Sequence, residues 1–185
     1  MKYSVAVIIL LSLSTACTKQ LKLSDEFDCS IVELQNTIEK KDFKKYFSLY
    51  IPNNWKTNLY FTEYQSSIIV ADTTEQLTET FILDASFNVG KLYFNTDFYK
   101  KTDSVAKQNN LEIVSSGNET FQSKPAYWYL TKGFKRGFEY HRINFMLILS
   151  EESYFYAYAE IYGDQAVNER ICESISIIEK IKFLE

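Results

Sequence analysis

Histidine occurs once in this chain of 185 residues, proline twice, cysteine three times and glycine five times. Each scarcity removes a class of protein. One His and three Cys leave too few ligands for a His- or Cys-built metal cage, and little for His-based acid–base chemistry. Low Gly and Pro exclude collagen-like and low-complexity chains. An excess of positive charge is also missing, with Lys+Arg at 20 against Asp+Glu at 24 and a formal net charge of −4. A nucleic-acid binder needs a basic face to displace phosphate counterions, so that role is excluded, and charge alone gives no pull toward anionic lipid.

Aromatic residues are abundant, with 14 Phe, 14 Tyr and 2 Trp. With 46% apolar and 24% charged residues, the chain has the material for a packed core rather than a disordered ensemble. Its length suits one domain with a short extension.

The extension is at the N-terminus. Met1-Lys2-Tyr3-Ser4 carries one positive charge and is followed by an apolar run over residues 5–13. That run is far short of the about 20 residues that span a bilayer, and it fits the apolar region of a secretory signal. Ser14-Thr15-Ala16 then places small residues before Cys17. This resembles the lipobox of bacterial lipoproteins, where the Cys is acylated, although Ser14 stands where Leu is usual. The same residues satisfy an ordinary signal-peptidase site with the same cut, which would leave a secreted protein with Cys at its terminus. Two or more acyl chains on Cys17 would anchor the protein stably. The chain thus divides into a signal peptide (1–16), a lipidated tether (17–28) and a single globular domain (29–185). No acidic run follows Cys17, so a periplasm-facing orientation is expected in the bacterial cell envelope.

With Cys17 assigned, Cys29 and Cys172 remain. Two Cys in an exported chain point to one disulfide, here joining the start of the domain to its last helix. Two buried thiols are the alternative.

Periodicity supplies the fold class. Residues 25–45 are ambiguous, with Ile31, Leu34 and Ile38 at helical spacing in a short charged stretch. Residues 47–51 alternate and end at Pro52, predicting a strand and a turn. Residues 64–72 and 75–87 predict two more strands; in the second, Glu79, Phe81, Leu83, Ala85 and Phe87 share one face. Residues 95–110 read as a helix resting lightly on the surface, with Asn95 and Thr96 as N-cap candidates. Three strands follow: one opened by Pro125, one over 138–150, and one over 153–162. In the last, Phe155, Ala157, Ala159 and Ile161 occupy one face, and Tyr154, Tyr156, Tyr158 and Tyr162 the other. Val167, Ile171, Ile175 and Ile178 form the stripe of a final helix over 165–180, which small Ala157 and Ala159 would let approach closely. The expected fold class is α+β, an antiparallel sheet flanked by helices.

This pattern is similar to the PsbP-like fold, shared by photosystem subunits, a Ran-binding protein and many bacterial lipoproteins of unknown role. The residues that carry the resemblance are Phe47-Ser48-Leu49-Tyr50-Ile51-Pro52 with Trp55, then Lys124-Pro125-Ala126-Tyr127, the Tyr-rich strand, and Ser174-Ile175-Ser176-Ile177. Ile51-Pro52-x-x-Trp55-Lys56 and Tyr162-Gly163-Asp164 look closest to uncharacterised bacterial lipoproteins. The resemblance implies an α/β/α sandwich that acts by binding protein partners, and it implies no chemistry. The metal ligands of the photosystem members find no matching motif here.

Few residues offer chemistry. Glu139 and His141 lie two apart on one strand face and could form an acid–base pair, but no Ser or Cys nucleophile sits in a motif beside them. Asp72, Glu75 and Glu79 could gather round a cation, or simply be solvated strand ends. Lys132-Gly133-Phe134-Lys135-Arg136-Gly137 reads as a basic hairpin and lacks the Lys-Ser/Thr pair of a phosphate loop. No motif calls for a cofactor. The candidate partner surface is the stripe Tyr154, Tyr156, Tyr158, projecting at ~7 Å intervals, together with Phe134, Lys135 and Arg136 of the hairpin. Tyr suits an interface because it offers area at low entropy cost, although a second helix could instead bury the stripe. The expected function is a non-enzymatic envelope lipoprotein that binds an unknown protein partner. A small-ligand or lipid carrier is the alternative, and a hydrolase built on Glu139 and His141 ranks last.

Overall fold

The computed structural model describes residues 21–30 and 34–184. The signal peptide and Cys17 lie outside the described residues. In chain order come α1 (Lys22–Glu26), β1 (Thr37–Lys41), β2 (Phe47–Pro52), β3 (Lys56–Phe61), β4 (Gln65–Ala71) and β5 (Phe81–Val89). Then follow α2 (Thr96–Gln108), β6 (Leu111–Phe121), β7 (Lys124–Lys135), β8 (Phe138–Ser150), β9 (Ser153–Tyr162), α3 (Val167–Glu179) and β10 (Lys182–Phe183). All strand pairs are antiparallel. They form a seven-stranded sheet in the order β3-β4-β5-β9-β8-β7-β6 and a three-stranded sheet in the order β1-β2-β10.

The α+β class and the antiparallel sheet match the sequence pattern. Phe155, Ala157, Ala159 and Ile161 of β9 are fully buried, and Phe81, Leu83 and Ala85 of β5 lie across from them. The small side chains of Ala157 and Ala159 leave room for α3, which brings down Ile171, Ile175 and Ile178. Each such Leu, Ile or Phe contributes about 1.5–3 kcal/mol on leaving water. The three-stranded sheet, which the pattern did not show as a separate layer, covers the rest of this face. Its Phe47 meets Phe155 edge-on at 5.2 Å between ring centroids. α2 lies on the opposite face, capped by the Asn95 side chain, which accepts from the Phe98 N–H as expected. Only Ala106 of α2 is buried, so it does sit lightly.

The structure departs from the sequence pattern in two places. The described part of the tether, residues 21–28, packs on the domain rather than standing free of it. Leu21 and Leu23 enter the core, and the Ser24 hydroxyl donates to Glu179 of α3 at 2.6 Å. Two leucines in a polar string, followed by a tie at Cys29, draw this stretch onto the domain. Residues 75–80 are not strand: the Glu79 and Thr80 amides both donate to the Gln76 carbonyl, making a turn before β5. The ambiguous stretch 25–45 holds the end of α1 and the strand β1 among its described residues.

Candidate functional site

On the face away from α3, β9 presents Tyr154, Tyr156, Tyr158, Glu160 and Tyr162. Opposite these on β8 stand Ile148, Met146, Asn144, Arg142 and Tyr140. Asn88, Ser86 and Asp84 of β5 flank the other side. Polar neighbours give the tyrosine hydroxyls partners within the sheet. Arg142 donates from Nη2 to the Tyr156 hydroxyl at 2.7 Å, and that hydroxyl donates to Asn144 Oδ1 at 2.8 Å. The Arg142 guanidinium carbon lies 3.7 Å from the Tyr158 ring centroid, a cation–π contact, and the Tyr158 hydroxyl donates to Asp84 at 3.0 Å. Nearby, Glu160 accepts from Lys135 at 2.6 Å and from Tyr140 at 2.7 Å.

Burial governs the electrostatics here. Removal from water pushes the Tyr156 and Tyr140 hydroxyls well above the usual tyrosine range. Burial, reinforced by the charge and hydrogen bond of Asp84, pushes Tyr158 up to about 12. Asp84 is itself raised by burial, against the hydrogen bond from Tyr158 and the charge of Arg142. For Glu160, burial is outweighed by Lys135 and the Tyr140 hydroxyl, and its carboxyl is lowered.

The Tyr face is therefore neither a dry core nor a bare contact surface. At the β6–β7 end, Tyr127 packs against Phe94, Phe98 and Tyr99, with ring centroids 5.8, 5.5 and 5.1 Å away. At the β8–β9 end, Tyr156 and Tyr158 are half-buried and tied into the polar network. Tyr154 is half-buried beyond it. In the hairpin, Arg136 and Gly137 make a two-residue turn with φ of 55° and 84°, the left-handed backbone that such turns need. Phe134 is 69% exposed, while Lys135, one residue on and of opposite parity, folds back onto Glu160. Lys135 thus joins the Tyr face through Glu160, while Phe134 stands on the other strand parity.

The chemistry candidates are tied to neighbours of their own. Glu139 and His141 share a face, but Glu139 pairs with Lys132 at 3.3 Å. The His141 imidazole is buried with Nδ1 unbonded, and burial and the Lys132 charge lower its pKa against the opposing pull of Glu139. Asp72 caps its own turn by accepting from the Thr74 hydroxyl and amide, which lowers its carboxyl, while Glu79 accepts from the Gln76 amide. Among the described residues no three His, Cys, Asp or Glu side chains gather as a metal site, and no helix is long and apolar enough to cross a membrane.

One feature went unread in the sequence. β3 closes one edge of the large sheet, and Leu59, Tyr60, Phe61 and Tyr64 on and after it are 44–62% exposed. Exposed Phe43 stacks on Phe61 with ring centroids 3.9 Å apart. The run Leu59-Tyr60-Phe61 was its only sequence signal.

No family model and no curated protein matches the chain. Solved structures do. The solution structure of cyanobacterial PsbP (CyanoP) from Synechocystis sp. PCC 6803 aligns with a TM-score of 0.58 at 10% identity, covering 84% of this chain and 97% of that one. The fold is PsbP-like. A protein of unknown function from Pseudomonas aeruginosa also aligns, at TM-score 0.52 and 7% identity, over 81% of this chain and 99% of that one. A PsbP-like fold sets where side chains stand, and function must come from the site.

Proposed function

We propose that this protein is a non-enzymatic, lipid-anchored module of the bacterial cell envelope that holds a protein partner by adding an extended partner segment to the open edge of β3. The carrying observation is that edge. Among the described residues no strand neighbours its outward backbone groups, and exposed Phe43, Leu59, Tyr60 and Phe61 flank it. Native proteins usually blunt long apolar edges, and an edge left open is a template for strand addition. The partner segment is an extended strand with apolar side chains at alternate positions. Placement in an oxidising compartment is supported by the Cys29–Cys172 disulfide. With lipid on Cys17, the domain would start at Leu21, at most ~14 Å of extended chain later, so it would ride directly on the bilayer. The pairing of Glu139 with Lys132 weighs against a hydrolase built on His141.

Photo-crosslinkers at Tyr60 and Phe61 of the full chain in its native envelope test the edge. A discrete adduct is expected, with β3 amides exchanging more slowly in the complex, and Leu59→Lys with Phe61→Lys should remove both effects. Adducts that survive the double substitution, or β3 amides that exchange as before, would overturn strand addition. Cys17→Ser should release the protein from membranes; retention would sink the anchor.

A further inference from the structure

We propose that the cleft between α2 and the large sheet binds a compact organic carboxylate, with Arg142 taking its charge. The cleft encloses about 180 Å³, roofed by Thr102, Val105 and Ala106 of α2 and floored by Tyr129, Arg142 and Asn144. Its lining holds two cations, Arg142 and Lys135, and no carboxylate, in a chain whose net charge is −4.

Arg142 is incompletely satisfied by the protein. It enters none of the ion pairs among the described residues. Its Nε is buried without a partner, and Nη1 has no acceptor among the described residues. The two carboxylates that feel its charge are already engaged, Glu160 by Lys135 and Tyr140, and Asp84 by Tyr158. A half-buried cation with unmet donors is costly, and an incoming anion would relieve it through a charge-assisted hydrogen bond. The rest of the lining suits a flat apolar body, because Tyr129, Phe134, Tyr140 and Val105 present rings and methyls. The volume falls below the roughly 300–1,000 Å³ of sites for drug-sized molecules, so the occupant is small: one ring or a short chain bearing one carboxylate.

Benzoate is a suitable probe. Titrated into isotope-labelled full-length protein at constant ionic strength, it should give saturable amide shifts at Thr102, Val105, Thr131 and Asn144. Arg142→Gln should weaken the binding at least tenfold. Benzyl alcohol, of like size and without charge, should bind wild type at least tenfold more weakly. Val105→Trp, which closes the roof and leaves Arg142 in place, should remove the shifts. Should Arg142→Gln fail to fold, benzyl alcohol and Val105→Trp decide the matter. Unsaturable shifts, equal binding of the alcohol, or undiminished binding in a folded variant would overturn the proposal.

Discussion

Cys29 and Cys172 stand 5.3 Å apart at Cα and are joined as a disulfide across 143 residues of sequence. The bond ties the loop after α1 to the first turns of α3, and so holds the N-terminal stretch against the core it helps to build. Closing so long a loop restricts the unfolded chain, with about 4–5 kcal/mol as the ceiling of the chain-entropy account. The double variant Cys29→Ala, Cys172→Ala is expected to lose about 2–4 kcal/mol in urea unfolding. Reduced wild type should lose a similar amount. Free thiols at both positions in non-reducing mass spectra of the folded protein would refute the pairing.

Asp42 is a second tie, this time between the two sheets. It is 2% exposed, and its carboxylate accepts from the Phe47 amide at 2.8 Å, the Lys44 amide at 3.0 Å and the Ser66 hydroxyl. Phe47 belongs to β2 and Ser66 to β4, so one side chain bridges the layers. Asp42→Ala strands a buried backbone N–H and is expected to cost about 2–3 kcal/mol, whereas Ser66→Ala should cost about 1 kcal/mol. Urea midpoints of the two variants would show that order, and a reversed order would count against the bridge.

The strands that form the centre of the large sheet were legible because one face is buried and the other is not. Phe155, Ala157, Ala159 and Ile161 announced β9, and the stripe Ile171, Ile175, Ile178 announced α3. β3 and β6 escaped because they are the sheet edges. β3 is exposed on both sides, and β6 alternates half-buried with exposed residues that are mostly polar, so neither carries a period of two in hydrophobicity. The Tyr stripe was visible as parity, but its partners were not. Nothing in the local sequence tells Tyr158 that Asp84 will stand across from it, since register is set by the whole sheet. Leu21 and Leu23 escaped for a similar reason: their neighbours Glu119 and Glu179 lie far along the chain.

Gly117 tests the packing of edge strand β6. A Cβ there would lie 2.9 Å from the indole of Trp128, which is buried and in edge contact with Phe27. The glycine is thus required by close approach rather than by backbone conformation. Gly117→Ala is expected to destabilise the domain by about 1–3 kcal/mol through displacement of the indole. Trp128 fluorescence should shift in the folded variant; an unchanged spectrum with unchanged stability would show that the ring accommodates the methyl freely.

Asp84 and Tyr158 make the pH behaviour of the Tyr face predictable in sign. Burial raises the folded carboxyl of Asp84 above its usual range. A raised group contributes stability that is fully present below the unfolded pKa and is lost as pH rises through the folded pKa. Asp84→Asn stays neutral throughout and can still accept the Tyr158 hydroxyl. The variant should therefore gain on wild type as pH rises from below the ordinary carboxylate range to neutrality, with denaturant midpoints as the measure. A gain that shrinks with rising pH would contradict the assignment. The same substitution should act on the tyrosine. Burial first, and then the charge and hydrogen bond of Asp84, hold Tyr158 at about 12. Replacing the carboxylate by an amide removes the charge, so the Tyr158 phase in phenolate absorbance should move to lower pH, identified by its loss in Tyr158→Phe. A phase that stays in place would mean that burial alone sets the hydroxyl, and that the two residues are neighbours without coupling.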